Sequence, residues 1–389
     1  MLMKGAGRRL WQGLVVLSGI GLATGFAGAT APLDLESYRV TQPGEVLFRH
    51  DARRQSLSVI PTDELENWCG TSRQQWPVHG ISRNVYNGQQ PGETFAWTMM
   101  SGAAAAFVLD DAAARRAVID NLTRWAKGNA LSQFKKRPAA SMYYNLDRTL
   151  FPTIVAFSLV RDHPDFGAAD QRLVHEWLDR LVDRRGPGRD RDPDKTSSQN
   201  NHGYLSDSVT MAWGIVRARD DLFRAGVARF VDALDQMRPD GSLPLETARG
   251  ARALYYQRHA ISSLVAIAEM AAAQGYDLYA LESDHRGSLR RAIEFLLDGI
   301  ENPGLVLPYA QENENPGPFR NYLVQDLDFM VRRGHGRHYM AWTEPYVARF
   351  PESATSRRLR RLLDEFGATR PLIDEFSGGN MSCLFAGVR

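Results

Sequence analysis

From about residue 96 to about residue 366 the chain repeats one pattern. Apolar side chains recur at steps of three and four, Gly or Pro interrupts, and the pattern resumes every twenty to thirty residues. Val118, Leu122 and Trp125 mark one such stripe, and Leu173, Trp177 and Leu181 a second. Leu264, Ile267 and Met270 mark a third, and Ile293, Leu296 and Leu297 a fourth. This is the period of amphipathic helices. Gly186-Pro187-Gly188, Pro239-Asp240-Gly241 and Asn302-Pro303-Gly304 are the breaks between them. Phe151–Val160 is apolar on most faces, which predicts a buried helix. No Pro/Ser-rich linker divides the series. Antiparallel helix pairs in a chain of 389 residues predict an all-α fold. Periodicity alone does not choose among a toroid, a solenoid and an irregular bundle, but no repeated sequence unit marks a regular solenoid. Short extended runs are expected at Tyr38–Val40 and Ser56–Ile60, a polar flap over residues 69–95, and an extended tail over Asp374–Val388.

The N-terminus has the three parts of a secretory leader. Lys4, Arg8 and Arg9 precede an apolar stretch from Leu14 to Phe26, and Ala27-Gly28-Ala29 is a small-residue cleavage site. Residues 1–29 are therefore expected to be a signal peptide, and 30–389 a single catalytic domain. The alternative is an uncleaved anchor. The leader carries three of the 47 Lys and Arg residues and no acid. Removing it leaves 44 bases against 45 acids, a net charge of −1. A near-neutral chain is not a general nucleic-acid binder, so any polyanion must be held by a local cluster. The protein is expected to be periplasmic or secreted, with no membrane attachment after cleavage, and monomeric. An oxidising compartment allows Cys69 and Cys383 to pair; the alternative is two separate buried thiols. Two cysteines exclude a Cys-built metal site. His335 and His338 stand among Arg332, Arg333 and Arg337, which would repel a cation. No metal and no cofactor is expected.

Two segments carry polar chemistry. Asn200-Asn201-His202-Gly203-Tyr204 opens a helix, and polar Ser206, Asp207 and Ser208 follow it, so this helix is expected to face something polar. Two amides at a helix start can equally be simple capping. Arg249 and Tyr256 are seven apart. If the segment is helical, both lie on one face, with Arg252 beside them. The plain alternative is a core aromatic edged by arginines.

The pair of motifs, N-N-H-x-Y and R-x-x-x-x-L-x-Y about fifty residues on, resembles the alginate lyase (mannuronate lyase) family of polysaccharide lyases. Arg124-Trp125-Ala126-Lys127, Asp221-Leu222-Phe223, Asp240-Gly241-Ser242-Leu243, Gly275-Tyr276-Asp277-Leu278 and Trp342-Thr343-Glu344-Pro345-Tyr346 extend the likeness. Residues 115–300 match well, 336–389 loosely and the first hundred poorly. The resemblance implies an incomplete α/α toroid of antiparallel helix pairs. It also implies cofactor-free β-elimination on a 1,4-linked uronate polymer, with alginate or polymannuronate as the acidic polysaccharide substrate.

By the same resemblance, Asn201, His202, Arg249 and Tyr256 form the catalytic group. Arg249 would neutralise the uronate carboxylate, and Asn201 and His202 would hydrogen-bond it and its enolate-like form. Tyr256 would act as base, acid or both, with His202 an alternative base. A tyrosine hydroxyl is ordinarily a weak acid, so a phenolate needs nearby cations. Arg249 and Arg252 are expected to supply them. Tyr204, Arg252, Arg148 and Tyr86 are expected to contact substrate, Tyr86 as the candidate lid residue. Tyr143, Tyr144 and Asn145 lie where an aromatic platform is expected. Leu205 stands where the family usually has Trp, which leaves the choice of polymer open. An inverting glycoside hydrolase would need two spaced carboxylates from Asp240, Glu246, Glu312, Glu314 and Glu344. A non-catalytic polyuronate-binding export protein is the other alternative.

Overall fold

The computed structural model describes residues 34–70, 76–85, 92–134, 140–185, 195–312, 321–333 and 336–387. The expected leader, 1–29, lies outside them, as do Tyr86, Glu314 and His335. Residues Asp34–Arg389 form one compact unit. Among the described residues the chain runs α1 (His50–Leu57), α2 (Thr62–Cys69), α3 (Gly92–Val108), α4 (Ala112–Lys127), α5 (Ala140–Val160) and α6 (Ala168–Arg185). It continues through α7 (Thr196–Gln199), α8 (Asn201–Arg217), α9 (Asp220–Gln236), α10 (Pro244–Thr247) and α11 (Ala253–Ala273). Then come α12 (Leu289–Glu301), α13 (Leu307–Ala310), α14 (Thr343–Arg349) and α15 (Ala354–Glu365). The strand pair β1 (Ile373–Asp374) and β2 (Gly379–Asn380) precedes α16 (Met381–Leu384).

The helices sort into two layers. α3, α5, α8 and α11 pack side by side in sequence as an inner row, while α4, α6, α9 and α12 lie outside them. α14 contacts α11 and α16, and α16 with its hairpin returns to α3, which brings the row round into a toroid. Composition explains the sorting. In α8 every residue except His202 and Arg217 is buried, as a helix covered on all sides requires. α12 instead buries the stripe Leu289, Ile293, Leu296 and Leu297 and turns its charges outward. Asp111 caps α4 by accepting from the Ala113 and Ala114 N–H groups at 2.8 and 3.0 Å.

The two ends of the described chain clasp each other. Cys69 at the end of α2 and Cys383 in α16 form a disulfide. Arg53 on α1 donates to the Leu384 and Ala386 carbonyl oxygens at 2.7 and 2.8 Å.

Two expectations are corrected here. Ser56–Ile60 does not begin a strand: Ser56 and Leu57 close α1, whose apolar contacts are too few to show a stripe. Asp374–Val388 is not a tail. β1 pairs antiparallel with β2, Ile373 with Asn380, and the segment is buried. Gly378 makes the tight hairpin possible with φ +92°.

Candidate active site

The first turns of α5, α8 and α11 open toward one region, and they bring the site residues with them. At α8, the Asn200 side chain accepts from the His202 N–H at 3.1 Å and caps the helix. Gly203 lets this turn sit on α7, since a Cβ there would lie 2.4 Å from the Ser198 carbonyl oxygen. Asn201 is fully buried. Its main-chain N–H and its Nδ2 donate to the two oxygens of Glu246, at 2.6 and 2.7 Å. Glu246 sits on α10, also fully buried. Burial pushes its carboxyl up to about 7, against the Asn201 hydrogen bonds and the charge of Arg249.

Arg249 does not share a helical face with Tyr256. Gly250 adopts φ +58°, a 3₁₀ turn covers Gly250–Arg252, and α11 begins only at Ala253. The turn nevertheless folds the guanidinium back over the phenol, 3.9 Å from the ring centroid. Arg252 lies beside Tyr255, 5.1 Å from its ring, and donates to Asp326 Oδ2 at 3.1 Å.

His202 stacks on Tyr144 of α5, with ring centroids 4.1 Å apart and planes 17° apart. The Tyr144 hydroxyl is 3.4 Å from His259 Nε2, and His259 lies 4.0 Å from the Phe376 ring. Burial drives His259 well below its usual pKa, and the charges of Arg258, His202, Arg148 and Arg249 add to it. His259 is thus neutral. Burial lifts the Tyr144 hydroxyl well above its usual value, despite Arg148.

The hairpin forms the floor. Glu375 accepts from Arg148 Nε at 2.9 Å and from Arg337 Nη1 at 2.7 Å, and Arg337 reaches Glu93 at 3.2 Å. Burial works to raise Glu375, but the two arginines hold it at about 2. Arg148, expected to meet substrate, spends its fork on Glu375 and lies 5.8 Å from the Tyr144 ring. Tyr204, expected to contact substrate, is 1% exposed and packs beside Arg229 in the core beneath α8. The polar run after it faces buried arginines rather than a ligand. Arg185 reaches the Ser206 carbonyl oxygen at 3.3 Å, and Arg229 pairs with Asp207 at 2.6 Å.

His259, Glu375 and Phe376 escaped the sequence reading, which took Tyr144 only as part of an aromatic platform and Glu246 only as a hydrolase carboxylate. Glu246 stands three residues before Arg249, which was a usable signal. Glu375 and Phe376 gave none, because their segment lacks a helical period. Among the described residues no group of His, Cys, Asp and Glu could hold a metal ion. Burial and Arg332 lower His338 to about 4.

Helix pairs wound into a toroid thus gather amides, imidazole, arginine and tyrosine at or just before the starts of inner helices. The chain belongs to the alginate lyase family, whose family model matches residues 90–305. A polysaccharide lyase of Stenotrophomonas maltophilia is 31% identical over 194 residues, covering 50% of this chain and 56% of that protein. An alginate lyase of Pseudomonas syringae pv. syringae is 28% identical over 233 residues, covering 59% and 56%. The chain thus spans little more than half the length of these curated relatives. Structural likeness reaches further. Alginate lyase A1-III complexed with tetrasaccharide superposes with a TM-score of 0.70 at 25% identity, covering 92% of this chain and 99% of that one. An alginate lyase from Bacteroides ovatus shares the fold, with a TM-score of 0.59 at 15% identity over 88% of this chain and 99% of that one.

Proposed function

We propose that the protein is a polysaccharide lyase that cleaves a 1,4-linked uronate polymer, alginate or polymannuronate, by β-elimination and leaves an unsaturated uronate end. The observation that carries this is the contact of Arg249 with Tyr256 beside the Asn201–His202 helix start. The C5 proton of a uronate is weakly acidic because its neighbouring carboxylate is already negative. Arg249 and the side chains of Asn201 and His202 offset that charge, and the starts of α5, α8 and α11 add their positive dipole ends. Tyr256 takes the C5 proton. In mannuronate the C5 hydrogen and O4 lie on the same side, so the same hydroxyl can return a proton to the departing O4. Electrons from the C5–H bond form the C4=C5 double bond as the C4–O4 bond breaks. His202, stacked on Tyr144, is the alternative base.

Among the described residues, the carboxylates that a hydrolase reading would draw on are engaged, Glu312 with Arg238 at 3.4 Å. Glu246 is committed to Asn201, Glu344 to Arg370 at 2.8 Å, and Asp240 to the Tyr309 hydroxyl at 2.6 Å. The reading extends to location: the protein is exported, loses residues 1–29 and works as a periplasmic or secreted monomer. The Cys69–Cys383 disulfide supports it, since such bonds persist in oxidising compartments. A panel of uronate polymers tests the function. Ultraviolet absorbance from the new double bond should rise on mannuronate-rich polymer. Cleavage without absorbance, or binding without cleavage, would refute the lyase reading.

A further inference from the structure

Asn201 carries the carboxylate-binding amide, and something must fix which way that amide faces. An amide has a donor end and an acceptor end of nearly equal shape. Turned over, it would point an oxygen at the substrate carboxylate and repel it. In this protein the orientation is set from outside α8. Both oxygens of Glu246 accept from Asn201, one from the main-chain N–H at 2.6 Å and one from Nδ2 at 2.7 Å. The clamp ties the side chain to its own backbone through one carboxylate. Nδ2 keeps its second hydrogen, while Oδ1 is buried and has no hydrogen-bond partner among the described residues. Residue and clamp are both 0% exposed, so water does not substitute for either bond.

We propose that Glu246 is a positioning residue for Asn201: ionised, it holds the amide with its N–H side toward the uronate carboxylate. The proposal rests on the lyase reading above and adds a residue to it. Only an ionised carboxylate can accept at both oxygens without offering a hydrogen of its own. Once protonated, Glu246 becomes a donor at one oxygen. It then competes with one Asn201 N–H, and it can pair with Oδ1 of a turned amide. Recognition of substrate therefore depends on one buried proton that never touches substrate.

The charges around Glu246 make that proton labile in the working range. Burial raises the carboxyl to about 7, while Asn201 and Arg249 act to lower it. Arg249 lies in the segment that leaves α10. Tyr204, one turn along α8 from Asn201, feels the Glu246 charge and is itself held neutral by burial. Arg249 thus connects the clamp to Tyr256. It stabilises the Glu246 anion, and it lies on the ring of Tyr256.

The test uses the full protein and reads two things. First, kcat/KM on polymannuronate is followed from pH 5 to 9 for wild type, Glu246→Gln and Glu246→Asp. Wild type should lose activity about tenfold per pH unit below about 7, the slope of one essential ionised group. Glu246→Gln should be about 10- to 100-fold slower at pH 8, in kcat more than in KM, with that acid limb gone. Glu246→Asp, shorter by one carbon but still ionisable, should be slower and keep an acid limb. Second, the Asn201 side-chain amide is observed by NMR in protein labelled with ¹⁵N-asparagine and without substrate. Its resonances should titrate with a midpoint near 7 in wild type and stay put in Glu246→Gln. The second reading needs no activity and no variant, so it stands even if Glu246→Gln fails to fold or no polyuronate is cleaved. Absent turnover on any polymer would remove the lyase reading alone. An Asn201 amide that ignores pH, or an unchanged acid limb in folded Glu246→Gln, would overturn the positioning role.

Discussion

Arg249 lies 3.9 Å from the ring centroid of Tyr256, although a left-handed glycine and a 3₁₀ turn separate the two. The contact is made by reaching back, not by sharing a helix. This geometry separates the roles of the two side chains. The guanidinium can meet a carboxylate on one side and the phenol on the other. The phenol hydroxyl stays at the edge, where a proton can be passed.

Replacing Tyr256 with Phe keeps the ring and its cation contact and removes only the hydroxyl. Turnover should fall about 100- to 10,000-fold, the range for losing a positioned acid or base. Substrate binding should survive, because Arg249, Asn201 and His202 remain. Arg249→Ala should weaken binding as well as turnover. Steady-state kinetics with a direct binding measurement on both folded variants separates the two patterns. Near-normal turnover in Tyr256→Phe would remove the catalytic assignment.

Much of this was legible in the sequence for a physical reason. Helices α4, α6, α11 and α12 declared themselves through apolar stripes, because an outer helix must present one wet face and an inner one almost none. Asn201 and His202 stood out as a motif on a helix start, and Arg249 and Tyr256 as a second motif that runs into one. What the chain hid were contacts between distant segments. Glu375 and Phe376 reach the site from the four-residue loop of a short hairpin with no period to read, some 230 residues from Arg148, which Glu375 binds. The helical-face argument for Arg249 and Tyr256 put the right residues together by the wrong geometry, since Gly250 breaks the helix between them. Tyr204 was misassigned because its motif position says nothing about which way the ring turns; it turns inward.

Substrate capture should weaken with salt. The ligand is a polyanion, and attraction comes from Arg249 at the site; Arg252, expected to serve Tyr256, is instead paired with Asp326 beside Tyr255. Arg258 does not belong to that surface, contrary to its place in the sequence. It is 0% exposed, 4.5 Å from the Tyr339 ring and 4.9 Å from that of Tyr255. KM should rise with ionic strength more than kcat falls, and Arg249→Ala should flatten the rise. A KM that stays level across a wide salt range counts against the cluster.

The disulfide should matter for stability more than for chemistry. It links residues 314 apart, so it restricts a long loop of the unfolded chain. Such links are typically worth about 2–4 kcal/mol. Cys383→Ser should lower the denaturant midpoint accordingly. Hydrogen exchange should quicken first in α2 and the 371–387 segment, while α8 and α11 stay protected. An unchanged midpoint would mean that the clasp formed by Arg53 already holds the two ends.

The last prediction concerns acid. Glu375 is buried between Arg148 and Arg337 and is held at about 2, below its ordinary 4.5. Its folded form therefore binds a proton less readily than its unfolded form. The stability this contributes is fully present above about 4.5 and is lost as pH falls from there to about 2. A shift of that size corresponds to roughly 3 kcal/mol. The floor of the site should thus loosen in acid before the outer helices do, and the His202–Tyr144 stack above it should follow. Glu375→Gln keeps the size of the side chain and removes the charge. It takes this anion from the half-buried Arg148 and leaves Arg337 with Glu93 alone, which should lower stability at neutral pH. Stability measured by denaturant against pH should then lose its steep fall between pH 4.5 and 2. If the variant and wild type show the same acid slope, the fall belongs to other carboxylates, and Glu375 is not the group that anchors the floor.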